Sequence, residues 1–191
     1  MNAPDTAPDT ARDTASDTAV AEATAAPSPR QMRDARARAR AVAGKTGWLA
    51  SILDHHVQIE ACFAAVKDAH SAAARKKAHK QLAVLLTGHS IAEESVVYPA
   101  LAEAGQAGDA HGLYAEQSTA KVEMAALEAL DPMDQAYLDK LEHIRLAVAQ
   151  HVYEEESECF PALHGEADSA THAKLTRKYK QEFERYVQPA A

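Results

Sequence analysis

The sequence predicts an all-α protein, an antiparallel up-down four-helix bundle, and three observations carry that prediction. Alanine, leucine, glutamate and lysine are abundant while the 191 residues include only seven glycines. No β-branched or aromatic run is bounded by turn residues. Apolar residues also recur at alternating intervals of three and four through four successive segments, the signature of helices that bury one stripe.

Ahead of those segments, residues 5–19 read DTAPDTARDTASDTA, with Asp5, Asp9, Asp13 and Asp17 in step. Such a run buries too little apolar surface to offset roughly 1–2 kcal/mol of backbone entropy per residue. Residues 1–45 are therefore expected to form a disordered Ala/Asp/Thr/Pro-rich tail, with Arg33, Arg36, Arg38 and Arg40 a solvated lead-in to the domain.

The bundle is expected over 46–165. Its first helix carries Leu49, Ile52, His56, Ile59, Phe63 and Val66 on one stripe. The second, about 71–102, carries Leu82, Leu85, His89, Glu93, Val96 and Ala100 and ends in the glycine-containing stretch GQAGDAHG. The third, about 110–130, offers Leu113, Gln117, Ala120, Met124 and Leu127 and stops at Asp131-Pro132, a pair that disfavours helix before the proline and permits one after it. The fourth, about 133–163, offers Tyr137, Leu141, Ile144, Val148, His151 and Glu155. Residues 166–191 contain Leu175, Tyr179, Phe183 and Tyr186 in a basic amphipathic stretch, expected as a short C-terminal helix and tail. Short connections between long helices favour antiparallel neighbours.

The second and fourth segments are related. HSIAEESVVYPAL from His89 and HVYEEESECFPAL from His151 share His, Glu-Glu-Ser, an aromatic residue and Pro-Ala-Leu at identical spacing. The first and third agree, since His56, Ile59, Phe63 and Val66 recur 61 residues on as Gln117, Ala120, Met124 and Leu127. The chain is a two-fold pseudo-repeat of helix pairs.

Side chains four apart on a helix lie about 40° apart on one face. His89 with Glu93, and His151 with Glu155, therefore each offer a nitrogen and a carboxylate to one interior point, and His56 joins them from the first helix. All five occupy positions where the stripe calls for an aliphatic residue. An unpaired buried carboxylate costs several kcal/mol even after relaxation, and a bound cation removes that cost. A nitrogen and oxygen set without thiolate suits iron or manganese, with zinc less favoured. Cys62 and Cys159 are far apart, form no CxxC pair and read as free thiols.

These motifs, HHVQIEACF around His56, His89-x3-Glu93 followed by VVYPAL, and His151 followed by EEE and CFPAL, resemble the hemerythrin-like family with its HHE cation-binding domain over roughly 46–163. The resemblance implies a non-haem pair of iron ions bridged by oxygen and carboxylates. It assigns His56 as the first-helix ligand, His89 as a terminal ligand, Glu93 as one bridging carboxylate and His151 as the fourth-helix ligand. For the second bridge the repeat and the stripe point to Glu155, while some members of the family place it one residue later, at Glu156. His55 reads as a surface or supporting residue, and His70, His79, His111 and His143 as exposed. In the third helix oxygen carriers have two histidines four apart; this chain has Glu116, Gln117 and Lys121. Glu116 is the first candidate ligand there and Gln117 the second. A carboxylate in place of imidazoles favours the ferric state, away from reversible oxygen carriage.

The function expected is binding, sensing or detoxification of iron, oxygen, peroxide or nitric oxide by a binding protein rather than an enzyme, with peroxide consumption the activity an open iron position would support. The alternative is a protein-interaction module with a structural metal. A net charge of −8 argues against a nucleic-acid partner. The sequence has no run of ~18 apolar residues and no secretory signal, so no membrane is expected and the cytoplasm is the default location.

Overall fold

The computed structural model describes residues 26–187, and every regular element among them is helical. Eight α-helices occur in order: α1 (Pro29–Ala43), α2 (Trp48–Lys67), α3 (Ala72–Ala92), α4 (Tyr98–Glu103), α5 (Ala107–Glu128), α6 (Gln135–Glu154), α7 (Phe160–Glu166) and α8 (Ser169–Val187). Two π turns, Glu93–Val97 and Glu155–Cys159, join α3 to α4 and α6 to α7 without a break. The result is a helical bundle of six continuous rods. The aspartate repeat lies outside the described residues.

Two apolar cores divide the bundle along its length. One gathers Trp48, Ile52, Leu53, Tyr98, Leu101, Phe160, Leu163 and Leu175. The other gathers Ile59, Phe63, Val66, Leu82, Met124, Leu127, Leu141 and Ile144. Between Leu53 and Ile59 on α2 sits His56, and the same level of the other rods holds His89, Glu93, Gln117, His151 and Glu155, all buried. A polar layer thus separates two hydrophobic halves.

The stretch expected as a tail is corrected over Pro29–Ala43, which is helical. Ser28 and Gln31 form a reciprocal capping box, and Pro29 occupies the first helical turn where its missing N–H is not needed. Ala35, Ala39 and Ala43 are buried, so α1 lies close against α2 and the end of the α6–α7 rod. Alanines four apart make little hydropathic contrast, which hid this face. The arginines are not all solvated either: Arg40 donates to Asp54 Oδ1 at 2.7 Å and Arg36 reaches two glutamates.

The C-terminal helix is longer than expected, nineteen residues against twenty in α2. It packs on α3 and α2 through Leu175 and Tyr179. Gly88 permits that approach, because a Cβ there would stand 2.7 Å from Val187 Cγ2. Gly105, at φ +91°, separates α4 from α5, whereas Gly108 and Gly112 lie inside α5.

The π turns also correct the predicted stripe. A π turn holds one residue more than an α-helical turn, so the inward face beyond it is delayed by one position. Val97, Tyr98 and Leu101 are accordingly in the core, while Ala100 is only half-buried.

Candidate metal centre

The inner side chains arrive from four rods, His56 from α2, His89 and Glu93 from α3–α4, Gln117 from α5, and His151 and Glu155 from α6–α7. The inner atoms of His56, His89, Glu93 and Glu155 all lie within 4.8 Å of one another. His56 Nε2 is 3.3 Å from Glu155 Oε2 and 3.9 Å from Glu93 Oε1, and His89 Nε2 is 3.2 Å from Glu93 Oε2. His151 Nε2 stands on the other side of Glu155, 3.3 Å from Oε1. Gln117 Nε2 donates to Glu93 Oε2 at 2.7 Å.

Three atoms at the centre, His56 Nε2, Glu93 Oε1 and Glu155 Oε2, are buried without a hydrogen-bond partner. Buried polar atoms are nearly always paired, so a convergence of orphaned lone-pair atoms marks a place for a positive centre. The donor set therefore fits a cation.

The outer faces of the imidazoles are held as a metal ligand requires. His56 Nδ1 donates to Glu156 Oε1 at 2.9 Å, and His151 Nδ1 donates to Glu116 Oε2 at 2.7 Å. A proton fixed on Nδ1 in this way directs the Nε2 lone pair inward once the ring is neutral. His89 Nδ1 instead meets the Tyr179 hydroxyl at 3.1 Å, which also lies 2.8 Å from His55 Nδ1. Arg36 completes the His56 side, donating to Glu156 at 2.8 Å while its terminal nitrogens clasp Glu60. On the opposite side the Tyr98 hydroxyl donates to Glu155 Oε1 at 2.8 Å and lies 3.2 Å from His151 Nε2.

The charges of the metal-free cluster are uneven. Burial opposes a charge on His56, yet the close carboxylates of Glu155 and Glu156 outweigh it and raise its pKa to about 9. His151 is raised against the same burial by Glu155 and Glu116. Glu155, though buried, is held below the usual carboxylate range by His151 and His56. Burial and then the charge of Glu155 push Glu93 well up, while burial and then the charge of His56 push His89 well down. Two imidazolium groups around one carboxylate, beside a protonated Glu93 and a neutral His89, hold protons where a cation would sit.

The structure brings five of the six sequence-assigned residues, His56, His89, Glu93, His151 and Glu155, into one layer. Glu116 is the exception and a correction: its carboxylate lies on the outer nitrogen of His151, with 39% of its side chain exposed. The third helix keeps the register of its stripe, and that register turns Gln117 inward instead. Glu155 and Glu156 are both buried, since the π turn brings consecutive residues inward, but Glu156 faces the far side of His56. His79 is corrected from exposed to buried, with its Nδ1 2.9 Å from the Tyr137 hydroxyl. Arg36, Tyr98 and Tyr179 were not assigned to the site by the sequence. For Tyr98 a signal existed: it is the tyrosine where the second copy of the repeat has Phe160.

Comparison with known proteins agrees with this layer. A DNA nickase of Nostoc sp. (strain PCC 7120 / SAG 25.82 / UTEX 2576) is 32% identical over 95 residues, covering 50% of this chain and 27% of that protein. The chain thus spans about a quarter of that curated relative's length. No solved structure matches. The profile of the hemerythrin HHE cation-binding domain matches residues 49–163, the stretch from the start of α2 to the end of the buried part of α7 that contains every residue of the layer. By that match and by its cluster of inward histidines and glutamates, the chain belongs to the hemerythrin HHE cation-binding domain family.

Proposed function

We propose that this protein binds two non-haem iron ions in the polar layer and uses them to bind, sense or remove oxygen, peroxide or nitric oxide. The observation that carries the reading is the convergence of the orphaned His56 Nε2, Glu93 Oε1 and Glu155 Oε2 in a buried layer between two apolar cores. Iron would supply a redox couple and an exchangeable coordination position. The chain supplies the rest. Glu93 and Glu155, with His56, His89 and His151 around them, would hold the ions. Manganese would suit the same donors, and zinc less well. The rods α2, α3–α4, α5 and α6–α7 make the four-helix core in up-down order, and α1 and α8 buttress it.

None of the described helices is long and apolar enough to cross a membrane. We place the protein in the cytoplasm and assign it no membrane or nucleic-acid partner. The nickase similarity supports one competing reading, cleavage of DNA, and incubation with supercoiled plasmid and metal tests it: relaxed circles in proportion to the protein would replace our assignment.

The test of the iron reading is metal content. Purified protein from iron-replete cells should carry about two iron atoms per chain, and the double change His89→Leu with Glu93→Leu should remove them while the helices persist. Removing a buried polar pair in favour of leucines often stabilises a fold, so melting temperature alone does not discriminate. Wild-type iron content in the double variant refutes the assignment.

A further inference from the structure

Beside the polar layer, at the level where α2 carries Ile59, α5 carries Ala120 and the facing part of α6 carries Ala147. These residues line a cavity of about 320 Å³ between α2, α3, α5 and α6. Its floor is Leu86, Val148 and Val152, all buried, and its inner end is formed by His89, Gln117 and His151 of the layer. Exposed Ala115, Thr119 and Ala147 mark its mouth.

This space is about twice the ~150 Å³ of an apolar cavity that admits a benzene ring. Dioxygen, hydrogen peroxide or nitric oxide would leave most of it unfilled, and its apolar floor offers them no hydrogen bonds. An occupant matched to it has an apolar body of roughly ten non-hydrogen atoms and a single polar head at the His89–Gln117–His151 end.

We propose that this cavity is the binding site for an organic hydroperoxide, its alkyl or aryl body on Leu86, Val148 and Val152 and its hydroperoxyl group at the polar layer. The assignment rests on reading that layer as a redox iron centre. Reduction breaks the O–O bond, takes two electrons, one from each of two ferrous ions, with two protons from solvent, and leaves an alcohol and water.

The test uses cumene hydroperoxide and its unreactive alcohol, 2-phenyl-2-propanol. The alcohol should bind the purified protein at one equivalent per chain by ligand-observed NMR, with or without metal, and Ala120→Phe should weaken that binding at least tenfold. In the ferrous protein Ala120→Phe should slow oxidation by cumene hydroperoxide at least tenfold while hydrogen peroxide reacts within twofold of wild type. Failure of the alcohol to bind, equal binding by the variant, or equal slowing with both oxidants overturns the assignment. If Ala120→Phe does not fold, Ala147→Phe at the exposed mouth carries the same comparison. Iron uptake without alcohol binding overturns the hydroperoxide site alone. Alcohol binding in a chain that takes up no iron overturns it together with the iron reading.

Discussion

The two halves of the repeat reach the same layer with opposite electrostatics. In the first half, His89 is backed by the Tyr179 hydroxyl, Glu93 is pushed toward its protonated form, and the next residue, Glu94, turns partly outward to pair with Lys121. In the second, His151 is backed by the Glu116 carboxylate, Glu155 stays ionised, and Glu156 is buried between His56 and Arg36. One sequence pattern thus yields a near-neutral His89–Glu93 pair and a charge-rich His151–Glu155 pair. His151 and His56 hold Glu155 ionised, while burial and the charge of Glu155 push Glu93 up; a phenol from α8 flanks the first pair and a guanidinium from α1 the second.

The sharpest way to break this comparison is to make the same change in both glutamates. Glu155→Gln removes the carboxylate between two imidazolium groups and should destabilise the metal-free protein by about 3–5 kcal/mol at pH 6. Glu93→Gln exchanges a neutral acid for a neutral amide and should change it by less than about 1 kcal/mol. Denaturant titrations of the metal-free variants measure both, and equal losses would show that the halves are electrostatically alike.

The residues one position later should also differ. Glu156→Gln weakens the support of His56, and metal affinity should fall roughly 10–100-fold, as for other partners that orient a ligating histidine. Glu94→Gln loses only a partly exposed pair with Lys121 and should leave affinity nearly unchanged. Competition with a chromophoric chelator reads the two.

The protonation of His56, beside the second half's carboxylates, gives a pH signature. His56, raised to about 9, contributes stability to the metal-free fold that is fully present below its ordinary pKa of 6.5 and is lost as pH rises through 9. A metal must displace that proton, so affinity should climb about tenfold per pH unit for each proton displaced, up to that point. An indicator dye in weak buffer at pH 7.5 should record at least one proton released per chain on metal addition. Release of none would remove the charged His56 from the picture. A modest effect is expected at Tyr179→Phe, about 1 kcal/mol of stability from hydrogen bonds shared by His55 and His89.

How much of this was legible follows from where hydropathy has contrast. His56, His89, Glu93, His151 and Glu155 were found because each interrupts an aliphatic stripe. The choice between Glu155 and Glu156 stayed open because spacing rules assume a regular helix, and the π turn admits both. Gln117 was ranked behind Glu116 on ligand strength, whereas register alone turned it inward. The packing of α1 escaped notice because its buried face is alanine and its arginines suggested solvent. Tyr179 lay on a recognised stripe, but nothing in a stripe says which neighbour it will meet.

The π turns have a consequence for how the chain tolerates a change of length. Deleting a residue within an ordinary stretch of α6 would rotate everything beyond it by about 100° and turn Phe160 and Leu163 out of the core. Deleting one from Glu155–Cys159 only removes the surplus residue, and the rod can close into plain α-helix with both flanks still in register. The surplus residue is also what lets Glu155 and Glu156 face inward together. The shortening that the fold would absorb most easily is therefore the one that dismantles the support of His56.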